Sequence, residues 1–182
     1  NIQGLTNEYD GDAYFIRDSK VKEVECFQDI ENLNFGTKIG DLEAAVTSGG
    51  LSTMPWTFEG RIKILENKTL RYPGHWDAMI AYRQLGLFKE KEINFKDMKI
   101  SPREFYHHLL EPKLIVEKPI DICIMRAEST GLVNGETKTK RVECIETYDD
   151  KTGFLAMEQW TGYHASMVMQ HIANSKIPLG AH

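Results

Sequence analysis

Cysteine is scarce in this chain: three in 182 residues (Cys26, Cys123, Cys144), an odd number with no metal-type spacing. That excludes a disulfide framework and a structural zinc knot, and it fits reduced thiols in a cytoplasmic protein, packed as small buried hydrophobes. Positive charge is also short. Lys and Arg number 22 against 27 Asp and Glu, a formal net charge of −5, so the basic footprint of a nucleic-acid or anionic-membrane binder is missing. No apolar run reaches the ~20 residues of a membrane-spanning helix, and no signal-peptide pattern opens the sequence. HExxH, CxxC and carboxylate-rich metal loops are absent, as are GxGxxG and the P-loop; no metal site and no nucleotide-phosphate cradle is expected. Repeats and low-complexity tracts are missing too.

What is present is an ordinary globular composition, 41% hydrophobic and 27% charged, enough for one domain with a real core. Residues 1–11 read as an opening loop. Ala13–Arg17 and Val21–Phe27 read as a hairpin turning at Asp18-Ser19-Lys20, and residues 28–38 as loop. Asp41–Val46 has helical composition, with Asp41 as N-cap and Gly49-Gly50 as stop. Arg61–Arg71 alternates as a half-buried strand with a bulge or short turn at Leu65–Asn67. Pro73-Gly74 then starts a helix with Trp76, Met79, Ile80 and Leu87 on one stripe and Gly86 as its C-terminal stop. Residues 88–100 read as a charged surface excursion. Ser101-Pro102-Arg103-Glu104 is a capping box opening a helix that ends before Pro112. Ile120–Ala127 and Thr139–Tyr148 flank Asn134-Gly135 as a hairpin. Asp149–Gly153 reads as a turn into a short strand, Phe154–Gln159, followed from Thr161 by a helix that Pro178 and Gly180 end. The sum is α+β with a mixed, largely antiparallel sheet.

The densest polar stretch is Thr47–His75. Arg71, at a strand end beside a Pro-Gly helix start, can clamp a carboxylate while the helix amides face the same anion; a surface ion pair is the other reading, and the residues leave both open. His75, in the first helical turn, is a general acid or base or else a hydrogen-bonded structural histidine. Thr47-Ser48-Gly49-Gly50 either presents amides and hydroxyls to a ligand or simply stops a helix. Tyr72 and Lys68 fall on the strand face opposite Arg71. His107 and His108 point to different helix faces. His164 and His171 share a face with Met167, Val168 and Ile172 and read as core or pocket histidines rather than ligands.

Gly-Leu-Thr-Asn-Glu-Tyr (4–9), Leu-Glu-Ala (42–44), Thr-Ser-Gly-Gly-Leu-Ser-Thr-Met-Pro (47–55), Lys-Thr-Leu-Arg-Tyr-Pro-Gly-His (68–75), Tyr-Asp-Asp-Lys-Thr-Gly-Phe-Leu-Ala-Met (148–157) and Thr-Gly-Tyr-His-Ala-Ser (161–166) occur in that order. The series resembles the saccharopine dehydrogenase family, more narrowly its glutamate-forming saccharopine dehydrogenases (saccharopine reductases) and lysine 6-dehydrogenases. It departs at His164, where family members often carry proline. The resemblance implies a longer enzyme in which an N-terminal Rossmann domain binds NAD or NADP. Residues 1–182 would be its second domain, with helices on one side of the sheet, a fold similar to the C-terminal domain of glyceraldehyde-3-phosphate dehydrogenase. That domain would supply the substrate pocket and a homodimer surface, and alone it would be inactive.

The implied reaction, in lysine metabolism, oxidises a C–N bond: hydride passes from the amine-bearing carbon to the nicotinamide, and water hydrolyses the imine, or the reverse sequence runs. Saccharopine, lysine, carboxynorspermidine and other amino acids stay open as substrates. Arg71 would anchor a substrate carboxylate, helped by Thr47, Ser48, Gly49, Gly50, Ser52, Thr53, Lys68 and Thr69, with His75 and Tyr72 as proton-transfer or orienting groups. A scaffold that has lost catalysis is the alternative.

Overall fold

The structure is a computed structural model that describes residues 2–178. The chain forms two compact units that divide between Ile115 and Val116. It is α+β, and every strand pair among the described residues is antiparallel. The strands fall into four small sheets rather than one.

The first unit opens with a helix, α1 (Ile2–Tyr9), where the sequence reading had a loop. Ile2, Leu5, Thr6 and Tyr9 follow the i, i+3, i+4, i+7 spacing of one helical face, and Ile2, Thr6 and Tyr9 are buried. The expected hairpin follows as β1 (Asp12–Arg17) and β2 (Lys20–Glu25). Asp18 and Ser19 form its two-residue turn with φ of 53° and 63°, the left-handed pair that matches the twist of the flanking strands.

A three-stranded sheet, β3 (Glu31–Asn34), β4 (Asp41–Ala45) and β5 (Thr69–Arg71), comes next, with β4 in the middle. The helix expected over Asp41–Val46 is therefore a strand, and the loop over 28–38 contains one. Leu42, Ala44, Ala45 and Val46 are all buried, and pairing on both edges overrides the helical preference of Leu, Glu and Ala. The strand expected over Arg61–Arg71 shrinks to β5; upstream only Leu65 bridges, to Ile16. A short helix, α2 (Met54–Phe58), lies between.

The helix after Pro73-Gly74 is α3 (His75–Leu85), closed as expected by Gly86 in the left-handed region (φ 87°). Residues 88–100 hold a small hairpin, β6 (Ile93–Phe95) and β7 (Met98–Ile100), not a plain excursion. Ser101 caps α4 (Pro102–Leu114) by accepting from the Glu104 amide at 3.4 Å. This helix runs through Pro112, because in the last turn proline removes only one backbone bond and the helix is nearly over. The core gathers Tyr9, Phe27, Ala45, Trp76, Met79, Phe88 and Tyr106 from α1, β4, α3, α4 and the loops between. A smaller cluster of Ala13, Phe15, Val24, Val46 and Leu51 lies beside β1 and β2.

The second unit is a long hairpin and one helix. The strands β8 (Ile122–Val133) and β9 (Glu136–Thr147) pair in register around Asn134-Gly135, whose φ values of 54° and 81° make the expected tight turn. The strand expected over Phe154–Gln159 is instead the start of α5 (Ala156–Ala173). Asp121 accepts from the amides of Ala156 (2.7 Å) and Met157 (2.9 Å), and Glu158 accepts from Leu155 N at 2.8 Å. Three carboxylate bonds at one end nucleate a helix there. The helix ends at Ala173, before Pro178; Gly180 lies outside the described residues. The stripe His164, Met167, His171 and Ile172 is exposed, so neither histidine is a core group. Cys26 and Cys123 are buried as expected, but Cys144 is exposed on β9, which is paired on one edge only.

Candidate functional site

Arg71 and His75 come together because β5 ends at Arg71, two residues before Pro73 turns the chain into α3. The register sets Glu43 of β4 opposite Arg71 and Ala45 opposite Thr69. Small Ala45 leaves room for Tyr9, which α1 delivers fully buried against Phe27, His75 and Trp76. The Tyr9 hydroxyl then joins the two side chains. Arg71 Nε donates to it at 3.0 Å, and His75 Nε2 lies 2.9 Å away. The guanidinium is braced further by a 2.9 Å bond from one terminal nitrogen to the Leu70 carbonyl and stands 5.9 Å from the Tyr9 and Trp76 ring centroids. Its other terminal nitrogen lies 3.7 Å from the Glu8 carboxylate, and the side chain is 32% exposed. A pair that exposed is weak and exchangeable, so this end of Arg71 can take a carboxylate from outside.

Burial, then the Arg71 charge, push the His75 imidazole down to about 4 from its ordinary 6.5, so it is neutral near pH 7. Burial raises the Tyr9 phenol above its ordinary value, with Arg71 opposing, and keeps it protonated.

The remaining predicted residues divide. Thr47, two residues past β4, and Thr69 of β5 share a hydroxyl bond of 2.7 Å. Ser48 is engaged with the end of α1, its amide on the Glu8 carbonyl (2.9 Å) and its hydroxyl on the Asn7 carbonyl (2.8 Å). The turn therefore fastens α1 rather than stopping a helix. Gly49 and Gly50 carry it at φ of 81° and 74°, and the Cβ of any other residue at Gly50 would come 2.9 Å from Asn67 Oδ1. Ser52 and Thr53 are exposed at the start of α2. Lys68 pairs with Glu31, and Tyr72 is 57% exposed. Of the amides at the start of α3, that of the N-cap Gly74 is engaged internally, donating to the Glu43 carboxylate at 3.2 Å.

Tyr9 is the residue that reading the motifs for chemistry missed, although it closes the Gly-Leu-Thr-Asn-Glu-Tyr signature. The helical spacing from Ile2 to Tyr9 was the signal that could have found it. His107 instead bonds Thr6 Oγ1 at 2.8 Å, away from this cluster. No group of three His, Cys, Asp or Glu side chains suited to a metal gathers among the described residues.

Over residues 1–181 the chain matches the family model described as the saccharopine dehydrogenase C-terminal domain. Among solved structures it is similar to the apo, histidine-tagged, L-Glu-forming saccharopine dehydrogenase of Saccharomyces cerevisiae, with a TM-score of 0.72 at 13% identity. That match covers 96% of this chain and 53% of the yeast protein, so the chain spans about half the length of the relative it resembles. At this identity the likeness is one of fold.

Proposed function

The chain belongs to the saccharopine dehydrogenase C-terminal domain family, a family of oxidoreductase domains, and from that membership we propose that it is the substrate-binding part of an NAD(P)-dependent oxidoreductase acting on an amino-acid C–N bond. The observation that carries this reading is Arg71: braced at Nε and one terminal nitrogen, with the other open to a carboxylate. A guanidinium held this way binds a planar anion with little further ordering. The substrate class is an amino acid of the saccharopine or lysine type, in lysine metabolism.

The described residues do not fit a nicotinamide dinucleotide. They offer no parallel βαβ unit, and the amide of Gly74, the N-cap of α3, is already engaged. Cofactor binding falls to another part of a longer protein, and these residues serve by holding the substrate. A cytoplasmic setting fits the three free thiols.

We also propose a homodimer formed through the free edge of β9. Among the described residues that strand has β8 as its one neighbour, and Lys138, Lys140 and Arg141 lie before Val142 with Glu143 and Glu146 after it. Two copies paired antiparallel about Val142 set Lys138 against Glu146 and Arg141 against Glu143.

The test is Arg71→Ala in the full-length enzyme. Losing a charge-assisted carboxylate bond should raise KM for the amino acid by about ten- to a hundredfold. Unchanged KM and kcat/KM would remove the anchoring role. Residues 1–182 alone should show no NAD(P)-dependent oxidation of lysine or saccharopine, and measurable turnover would refute the assignment of cofactor binding elsewhere.

A further inference from the structure

We propose that Tyr9 is the positioning residue of this site, its hydroxyl accepting the Arg71 Nε proton and giving its own to His75 Nε2, so that the imidazole is fixed as its Nδ1–H tautomer beside the guanidinium. The inference rests on the reading of Arg71 as the carboxylate anchor, but its first test does not.

The argument is one of proton accounting. Arginine Nε carries a proton at any relevant pH and can only donate, so at 3.0 Å the Tyr9 oxygen is the acceptor. Tyr9 is fully buried, and burial keeps its phenol protonated. A buried hydroxyl proton needs an acceptor, since leaving it unpaired costs more than the bond gains. The Tyr9 hydroxyl touches one other polar atom, His75 Nε2 at 2.9 Å, and no buried side-chain polar atom among the described residues lacks a partner. His75 Nε2 must then be the bare nitrogen. A neutral ring, which its low proton affinity ensures, has its proton on Nδ1.

The consequence reverses the first expectation for His75. A ring whose basic nitrogen is committed to Tyr9 is a poor general base; the proton it has left to donate is the one on Nδ1. Tyr9 acts through both partners and reaches the ligand through neither ring face nor hydroxyl, because it is buried.

Nitrogen-15 NMR of the imidazole rings in residues 1–182 at pH 7 tests this directly. Histidine side chains in water favour the Nε2–H tautomer, so a His75 ring with Nδ1 protonated and Nε2 bare is a distinctive signature. It is expected in the unmodified chain. In Tyr9→Phe, which keeps the ring and its packing, it should give way to Nε2–H. Phe27→Leu, a packing change beside the same ring, should leave it in place. A His75 Nε2–H tautomer in the unmodified chain overturns the proposal without any variant, and so does an Nδ1–H tautomer that survives in Tyr9→Phe.

In the full-length enzyme, Tyr9→Phe should raise KM by about two- to tenfold, and by less in an Arg71→Ala background, since the brace has nothing left to hold. Equal effects in both backgrounds count against it. If Arg71→Ala leaves KM unchanged while the tautomer is as expected, the anchor reading fails and the Tyr9 geometry stands.

Discussion

The indole nitrogen of Trp76 donates to the backbone carbonyl of Glu43 at 3.0 Å, tying the first turn of α3 to the middle strand of the three-stranded sheet. Glu43 is also the register partner of Arg71. This bond therefore helps fix the angle between the strand that carries the arginine and the helix that carries His75. Trp76→Phe keeps most of the apolar contact but removes the bond. It should destabilise the first unit by about 0.5–1.5 kcal/mol, read by chemical denaturation. A loss within experimental error would mean the strand-to-helix angle is set by packing alone.

His75 makes stability depend on pH in a defined window. The folded ring binds its proton near 4 and the unfolded ring near 6.5, so between those values the unfolded state holds more protons. Stability from this site is complete above about pH 6.5 and falls as pH drops toward 4. Arg71 opposes the ring's charge, Tyr9 occupies Nε2, and Glu8 and Glu43 face Arg71 and the α3 amide. His75→Gln keeps an acceptor for Tyr9 and cannot titrate. Its melting temperature should fall less than the parent's between pH 7 and pH 4.5. His107, also lowered by burial, is common to both proteins and cancels in the difference. Parallel melting curves would show that the ring is not shielded.

Local chemistry was readable where the cause is local. Asn134-Gly135, Gly86 and the Ser101 cap act within a few residues, and the structure places each where the sequence does. The errors share the opposite property. Asp41–Ala45 has the residues of a helix but is held by β3 and β5, the latter 24 or more residues downstream. Phe154–Gln159 looks extended until Asp121, 35 residues away, caps Ala156. In the site, Arg71 and His75 were legible because they are four residues apart across a Pro-Gly turn. Tyr9 was not, since its partners lie 62 and 66 positions later. Tyr72 is exposed and Tyr9 buried, and spacing alone cannot tell which tyrosine faces inward.

The cap at α5 gives a prediction for the second unit. Asp121→Ala removes both carboxylate bonds to the first helical amides and should cost about 0.5–2 kcal/mol. Hydrogen exchange at Ala156 and Met157 should quicken, with the β8–β9 amides near the tip unaffected. Asp121→Asn keeps an acceptor without the charge and should fall between the two. Equal protection in all three proteins would show that Glu158 alone suffices.

The proposed β9 dimer has a charge test that leaves the two cross-strand ion pairs of the hairpin intact, although Lys138 also pairs with Glu136 within β9 at 3.6 Å. Arg141 with Glu128 and Arg126 with Glu143 already link the two strands at 2.7 Å, so those four residues are left alone. Antiparallel pairing about Val142 sets Lys138 of one copy against Glu146 of the other, twice per dimer. Lys138→Glu places like charges at both points, and so does Glu146→Lys; each like pair costs roughly 0.2–1 kcal/mol. Either variant alone should weaken the dimer by about two- to thirtyfold in sedimentation equilibrium. The double variant, which restores opposite charges with their signs exchanged, should return to the parent's affinity. Rescue is the discriminating result, because a general effect of net charge or a damaged hairpin would add in the double variant rather than cancel. A chain that stays monomeric at every concentration, or a dimer indifferent to both single reversals, would place the contact elsewhere.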